Sequence, residues 1–212
     1  MDSVESATAA QRGGASRLEL CANLDVGGTT PSATLIAEVR TRVRLPTAVM
    51  IRPRGGSFVH TIAEIDAMVR SIAMARSFGV EALVFGVLDE DNYIDVPQMR
   101  ILMAAARGTP VVFHRAFDEL PDLHEGLDTL IELGVARVLT SGGANTALAG
   151  AVTIGELVTE ARGRIAVMAG GKVRGRTIRE IVQLSGVREV HARCENDDRQ
   201  IRGILDVLTF GM

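Results

Sequence analysis

A TIM-like (β/α)8 barrel of the α/β class is the fold this sequence predicts, and three observations carry the prediction. Seven short β-rich runs recur along the 212 residues, their starts roughly 23–35 residues apart, the length of one βα unit. Helical patterns fill the intervals between them, which implies parallel strands with their connections on the outside. Ionisable residues and glycines collect at the C-terminal ends of the runs, whereas the residues upstream are mostly aliphatic. In a barrel that is the end where chemistry gathers. The even repeat and the lack of a Gly-rich dinucleotide fingerprint after the first run favour the barrel over an open doubly wound sheet.

The chain opens inside a helix. Asp2 or Ser3 can cap "VESATAAQRGG", and Gly13 and Gly14 end it. The strand runs are "SRLELC" (16–21), "TAVMIR" (47–52), "ALVFGV" (82–87), "PVVFHR" (110–115), "ARVLTS" (136–141), "RIAVMA" (164–169) and "VREVHA" (187–192). Between the second and third, Ile62, Ile65, Met68, Val69, Ile72 and Ala73 mark one helical face, with Gly79 as the stop. Asp95 with Gln98 three residues later reads as a capping box opening the next helix. "EGLDTLIELG" and "IREIVQLSG" close on Gly134 and Gly186. No linker or low-complexity tract interrupts the series, so residues 1–212 read as one domain. A closed barrel needs eight strands, and only seven are visible: the first is missing.

Composition narrows the function. Apolar residues make up 47% and aromatics 3%, with no Trp, so the core is aliphatic. A net charge of −3 without a basic block gives no footprint for nucleic acid. No apolar run is long enough to span a membrane, and the N-terminal stretch lacks a signal-peptide pattern. Two cysteines, Cys21 and Cys194, are too few for a disulfide framework, and free thiols point to the cytoplasm.

In "VMIRPRGG" (49–56) an oily strand runs straight into two arginines. Alternation places Met50, Arg52 and Arg54 on the inner face, with Val49 and Ile51 turned toward the helices. Guanidiniums at a barrel mouth bind phosphate or carboxylate; the competing structural role is an ion pair with Glu19 on the neighbouring strand. "MAGGK" places Gly170, Gly171 and Lys172 where backbone donors and a helix start commonly form a phosphate site, and "TSGG" offers Ser141 and Gly142 in the same way. Arg115 joins this anion-binding set. In "FHRAFDELPD", His114 and Asp118 alternate onto one face with Val112 and Ala116. His114, Asp118 and Glu19 are the candidate catalytic groups. Cys21 and His114 are the candidate metal ligands. A small anion or a metal ion is therefore the expected partner.

The blocks "DSVESATAAQRGGASRLELCANLDVGGTTPS", "VMIRPRGGSFVH", "FGVLDEDNYIDV", "FHRAFDELPD", "RVLTSGG", "MAGGKVR" and "EVHAR" resemble the CutC family from residue 2 to about 193. The resemblance implies a TIM-like barrel, a cytoplasmic homo-oligomer (dimer or larger), and copper homeostasis through binding of copper(I). Family members begin with a strand similar to "LEVCVDS", whose Cys joins that of the "ELC" block at the copper site. Here Met1 stands in the place of that Val, so either the start is assigned too late or the chain lacks the strand. Cys21 alone remains of the pair, and one thiolate is a poor copper(I) site without Met or His. The slot beside "RLELC" and "EVHAR" is expected to stay as a gap, to take the tail "IRGILDVLTFGM", or to form a dimer contact. Two functions follow: copper(I) handling, or a barrel enzyme acting on a small anionic, phosphorylated metabolite. A scaffold subunit whose mouth is merely ion-paired is the bland alternative.

Overall fold

The computed structural model describes residues 1–193 together with 199 and 202. Cys194 and, except for Arg202, the expected filling segment "IRGILDVLTFGM" lie outside the described residues. Helices and strands alternate: α1 (Val4–Gly13), β1 (Leu18–Leu20), α2 (Ala33–Arg42), β2 (Thr47–Met50), α3 (Ile62–Ser77), β3 (Ala82–Phe85), α4 (Val96–Ala106) and β4 (Val111–Phe113). They continue with α5 (Leu123–Glu132), β5 (Arg137–Thr140), α6 (Ala151–Ala161), β6 (Ala166–Ala169), α7 (Gly175–Ser185) and β7 (Glu189–Val190). The strands form one parallel seven-stranded sheet in chain order, curled like most of a barrel wall.

Local chemistry sets the element ends. Ser3 caps α1 and exchanges a capping box with Ser6, and Gly14 ends the helix at φ 89°. Thr61 and Glu64 do the same for α3. Asp95 accepts from the Gln98 N–H as expected, but the Gln98 amide donates to the His60 carbonyl, so the box is not closed. Ile62 is 80% exposed, so the core stripe of α3 begins one turn later and runs Ile65, Met68, Ile72, Ala75. Ala73, also expected on that face, is exposed.

The pleat sorts the strand residues into two layers. Leu20, Val49, Ile51, Leu83, Phe85, Val111, Phe113 and Val138 pack against the helices. Cys21, Ala48, Met50, Val84, Val112, Leu139 and Met168 meet on the concave side. β3, β4 and β6 are apolar on both faces, as a wall between helices and an inner core must be, whereas β1, β5 and β7 carry Glu19, Arg137 and Glu189.

No backbone ladder joins β1 to β7 among the described residues. Side chains bridge the slot instead. Glu189 on β7 takes Arg17, just before β1, at 3.0 Å and Arg137 of β5 at 2.7 Å. Higher up, His191 stands 3.9 Å from Glu19. Met1 donates to the Glu19 carbonyl at 2.6 Å and accepts from the Cys21 N–H at 2.9 Å. Bonding the two residues that flank Leu20 is the pattern of a parallel ladder. Met1 thus holds one rung on the outer edge of β1.

Candidate functional site

The concave side opens into a cavity of about 1230 Å³. Its floor is the inner apolar layer, and Arg52, Phe58, His114, Arg115, Glu119 and Gly171 stand among the residues around it. Register explains why Arg52 and His114 meet there. Met50 pairs with Val84 and Val84 with Val112. Two residues further along each strand, on the same face, come Arg52, Gly86 and His114. Gly86 has no side chain to obstruct its neighbour: a Cβ there would lie 2.9 Å from His114 Nδ1.

Arg52 is 5% exposed. Its Nη1 donates to the carbonyls of Val26 (3.3 Å) and Gly28 (3.4 Å), and Nη2 to that of Gly56 (2.5 Å). The guanidinium lies over the Phe58 ring, 4.5 Å from its centroid. Nε is buried and has no partner. No carboxylate pairs with Arg52 among the described residues, so the expected structural pair with Glu19 is not formed. Burial pushes the Arg52 pKa down, and the neighbouring Arg54 adds to this.

His114 is 4% exposed, with Phe58 and Phe113 against its ring. The Ala116 N–H donates to Nδ1 at 3.2 Å, which fixes the neutral tautomer with its hydrogen on Nε2. Nε2 is buried and unpartnered. Burial, together with the Arg52 charge, pulls its pKa down to about 3. At neutral pH His114 is a hydrogen-bond donor rather than a general base.

Other sequence candidates are placed differently. Arg54 leaves the inner face after Pro53: it pairs with Glu64 at 2.6 Å and bonds the Ser57 and Val59 carbonyls. Asp118 leaves the face of His114 because residues 115–119 form a 3-10 turn, where strand alternation no longer holds, and Ala116 packs toward the helices. Its carboxylate accepts from Thr140 Oγ1 (2.6 Å), the Ser141 N–H (2.9 Å), the Gly143 N–H (3.0 Å) and Arg115 Nε (2.8 Å). The anion held by the glycine turn is thus the chain's own Asp118. The Gly142 N–H donates to Thr140 Oγ1, and the Ser141 hydroxyl joins the Ala144 carbonyl to Arg115 Nη2. These donors are already committed, and so is most of Arg115. Gly170 donates to the Thr140 carbonyl as part of the sheet, whereas Gly171 lines the cavity. Lys172 is exposed and does not line it.

Glu19 and Cys21 both line the cavity on the β1 side. Cys21 is an unpaired, buried thiol, 3.9 Å from the Met1 amino group. Burial, the largest influence, pushes its pKa up. No group of three or more His, Cys, Asp or Glu among the described residues is placed to hold a metal ion. Sequence reasoning missed Phe58 and Glu119. Phe58 was detectable, since it is one of six phenylalanines and falls in the arginine-rich loop after β2.

The family model described as CutC matches residues 1–196. A human copper homeostasis protein cutC homolog is 48% identical over 191 residues, covering 90% of this chain and 70% of its own. A family protein CutC of Bacteroides fragilis is 47% identical over 193 residues, covering 90% and 76%. The crystal structure of CutC from Streptococcus agalactiae superposes with a TM-score of 0.80 at 40% identity, over 83% of this chain and 87% of that one. With the curled parallel sheet, its polar mouth and a match over nearly all of its length, this chain belongs to the CutC family.

Proposed function

We propose that this chain binds a small organic anion at the mouth of its curled sheet, the arrangement of a barrel enzyme acting on an anionic metabolite. One observation carries the reading. Arg52 is a buried guanidinium among the residues around the cavity, with its Nε–H unbonded, and no carboxylate among the described residues forms an ion pair with it. Burying an uncompensated charge is costly, and a bound anion would offset that cost. A cytoplasmic location goes with this reading, because a reducing compartment keeps an unpaired Cys21 as a thiol. The test is thermal stability of the full chain with inorganic phosphate, a sugar phosphate and simple carboxylates, on native protein and Arg52→Gln. Saturable stabilisation by at least one anion, lost in the variant, is expected. No stabilisation of native protein by any of them would overturn the reading.

Copper(I) handling is the second reading, supported by the name of the human relative and by sulfur on the inner layer: Cys21, Met50 and Met168. The donor set fits poorly. Burial favours the thiol of Cys21 over the thiolate that a metal needs, and the one lone pair of the His114 ring is occupied by Ala116 N–H. Copper(I) titration of native protein and Cys21→Ser separates the two readings. Thiol-dependent uptake without any anion effect would favour copper.

A further inference from the structure

Resting on the anion-site reading, one side chain also decides how an anion reaches Arg52 and His114. The guanidinium gives N–H groups to the carbonyls of Val26, Gly28 and Gly56, which leaves Nε–H and a second Nη2–H unbonded. His114 keeps Nε2–H unbonded. Arg52 Nε and His114 Nε2 are nevertheless buried, although both residues stand among those around the cavity. Charges elsewhere on the cavity wall meet one another: Glu189 takes Arg17 and Arg137, and Glu19 stands beside His191.

Most of what surrounds Arg52 and His114 is fixed. Backbone carbonyls hold the guanidinium, and Phe113, against the imidazole, is fully buried in the helix-facing layer. Phe58 differs. Its ring centre lies 4.5 Å from the guanidinium carbon and 4.7 Å from the centre of the His114 ring. It is half-buried and lines the cavity. The backbone beneath it is pinned: the Phe58 carbonyl accepts from the Leu88 N–H at 3.0 Å, Val59 bridges to Leu88, and Arg54 bonds the Ser57 and Val59 carbonyls on either side. The loop cannot lift without breaking these bonds, whereas the ring makes no hydrogen bond and can change rotamer. A cavity of about 1230 Å³ gives it room. Its contact with the guanidinium favours the covering position.

We infer that Phe58 is a gate: its ring closes over Arg52 and His114 and swings aside within the cavity to admit an anion to their unbonded N–H groups. The closed state dominates without ligand, so the apparent affinity is the intrinsic one reduced by the open fraction.

The test uses the full chain. NMR follows solvent exchange of the His114 Nε2–H, identified by its loss in His114→Gln, with no anion present. Phe58→Ala is expected to speed that exchange about tenfold or more, since the open state of such a pair is populated at roughly 10% or less. The Leu83 amide, bonded to the Pro110 carbonyl in the sheet, should keep its native rate. Phe58→Leu, which loses less packing, should fall in between. Unchanged His114 exchange in both variants would overturn the gate, and so would equal acceleration at Leu83, which marks general loosening. The chain has no Trp, so Phe58→Trp reports the ring position by itself. Inorganic phosphate or acetate, whichever stabilises the native chain, should shift its emission to the red and raise acrylamide quenching. Anion binding that leaves the emission unchanged would overturn the gate. Faster His114 exchange in Phe58→Ala without binding of either anion would sustain Phe58 as the cover and overturn the anion-site reading alone.

Discussion

Asp118→Ala should damage the fold more than any ligand contact. The carboxylate is 7% exposed and accepts from four groups. Two of those donors, Thr140 Oγ1 and the Ser141 N–H, belong to fully buried residues. Each would lose its partner out of reach of water, at about 1–3 kcal/mol apiece. Gly143 and Arg115 are exposed, so water can replace the carboxylate there at little cost. The expected loss is about 2–5 kcal/mol, a large part of the stability of a single domain. Asp118→Asn retains one acceptor oxygen for Thr140 and Ser141 but turns an amide toward Arg115. It should lose about half as much. Urea unfolding followed by circular dichroism measures both. An Asp118→Ala protein with the native midpoint but without anion binding would refute the structural role and restore the catalytic one.

Three further outcomes follow from the same geometry. The unfolded chain protonates His114 near pH 6.5, whereas the folded one resists until about 3, so its contribution is full above 6.5 and is lost as pH falls toward 3. Urea midpoints should drop between pH 7 and 5, by up to roughly 1.4 kcal/mol per pH unit from this group, and the drop should be shallower in His114→Gln. His60, whose pKa burial also lowers, adds a drop of the same sign that remains in that variant. Cys21, buried and with its pKa raised, should react with a thiol reagent only on unfolding when tested in a Cys194→Ser background; reaction of folded protein at the unfolded rate would contradict its placement. Burial alone would raise the Glu189 pKa, but its bonds to Arg137 and Arg17 outweigh this and hold it below the usual range. Glu189→Gln should leave two half-buried arginines unbalanced and cost about 1–3 kcal/mol in urea unfolding. An unchanged midpoint would show that the edges of β1 and β7 do not depend on that bridge.

The alternation of elements was legible in the sequence because it is written locally. A strand between helices and an inner core must be apolar on both faces, and Val49 to Ile51 or Leu83 to Phe85 announce that within a few residues. The caps at Ser3 and Asp95 and the stops at Gly14 and Gly186 are equally local. Ile62 shows where such reading ends. It has the right spacing but lies one turn before the helix meets the core, and spacing alone does not say where a partner surface begins.

The sequence by itself also determined which end of the sheet is polar, and that Arg52 and His114 face inward, because alternation within a strand needs no knowledge of the rest of the chain. Only the tertiary structure decided which polar groups are left over. Arg54 and Arg52 look alike in "RPR", yet Arg54 is paired with Glu64 and Arg52 forms an ion pair with no carboxylate among the described residues. The glycine turn after β5 looked like a cradle for an external anion until Asp118, over twenty residues earlier, came to fill it. Whether a donor is free depends on every neighbour that folding brings within bonding distance. Those neighbours come from distant segments, so no local pattern can report them.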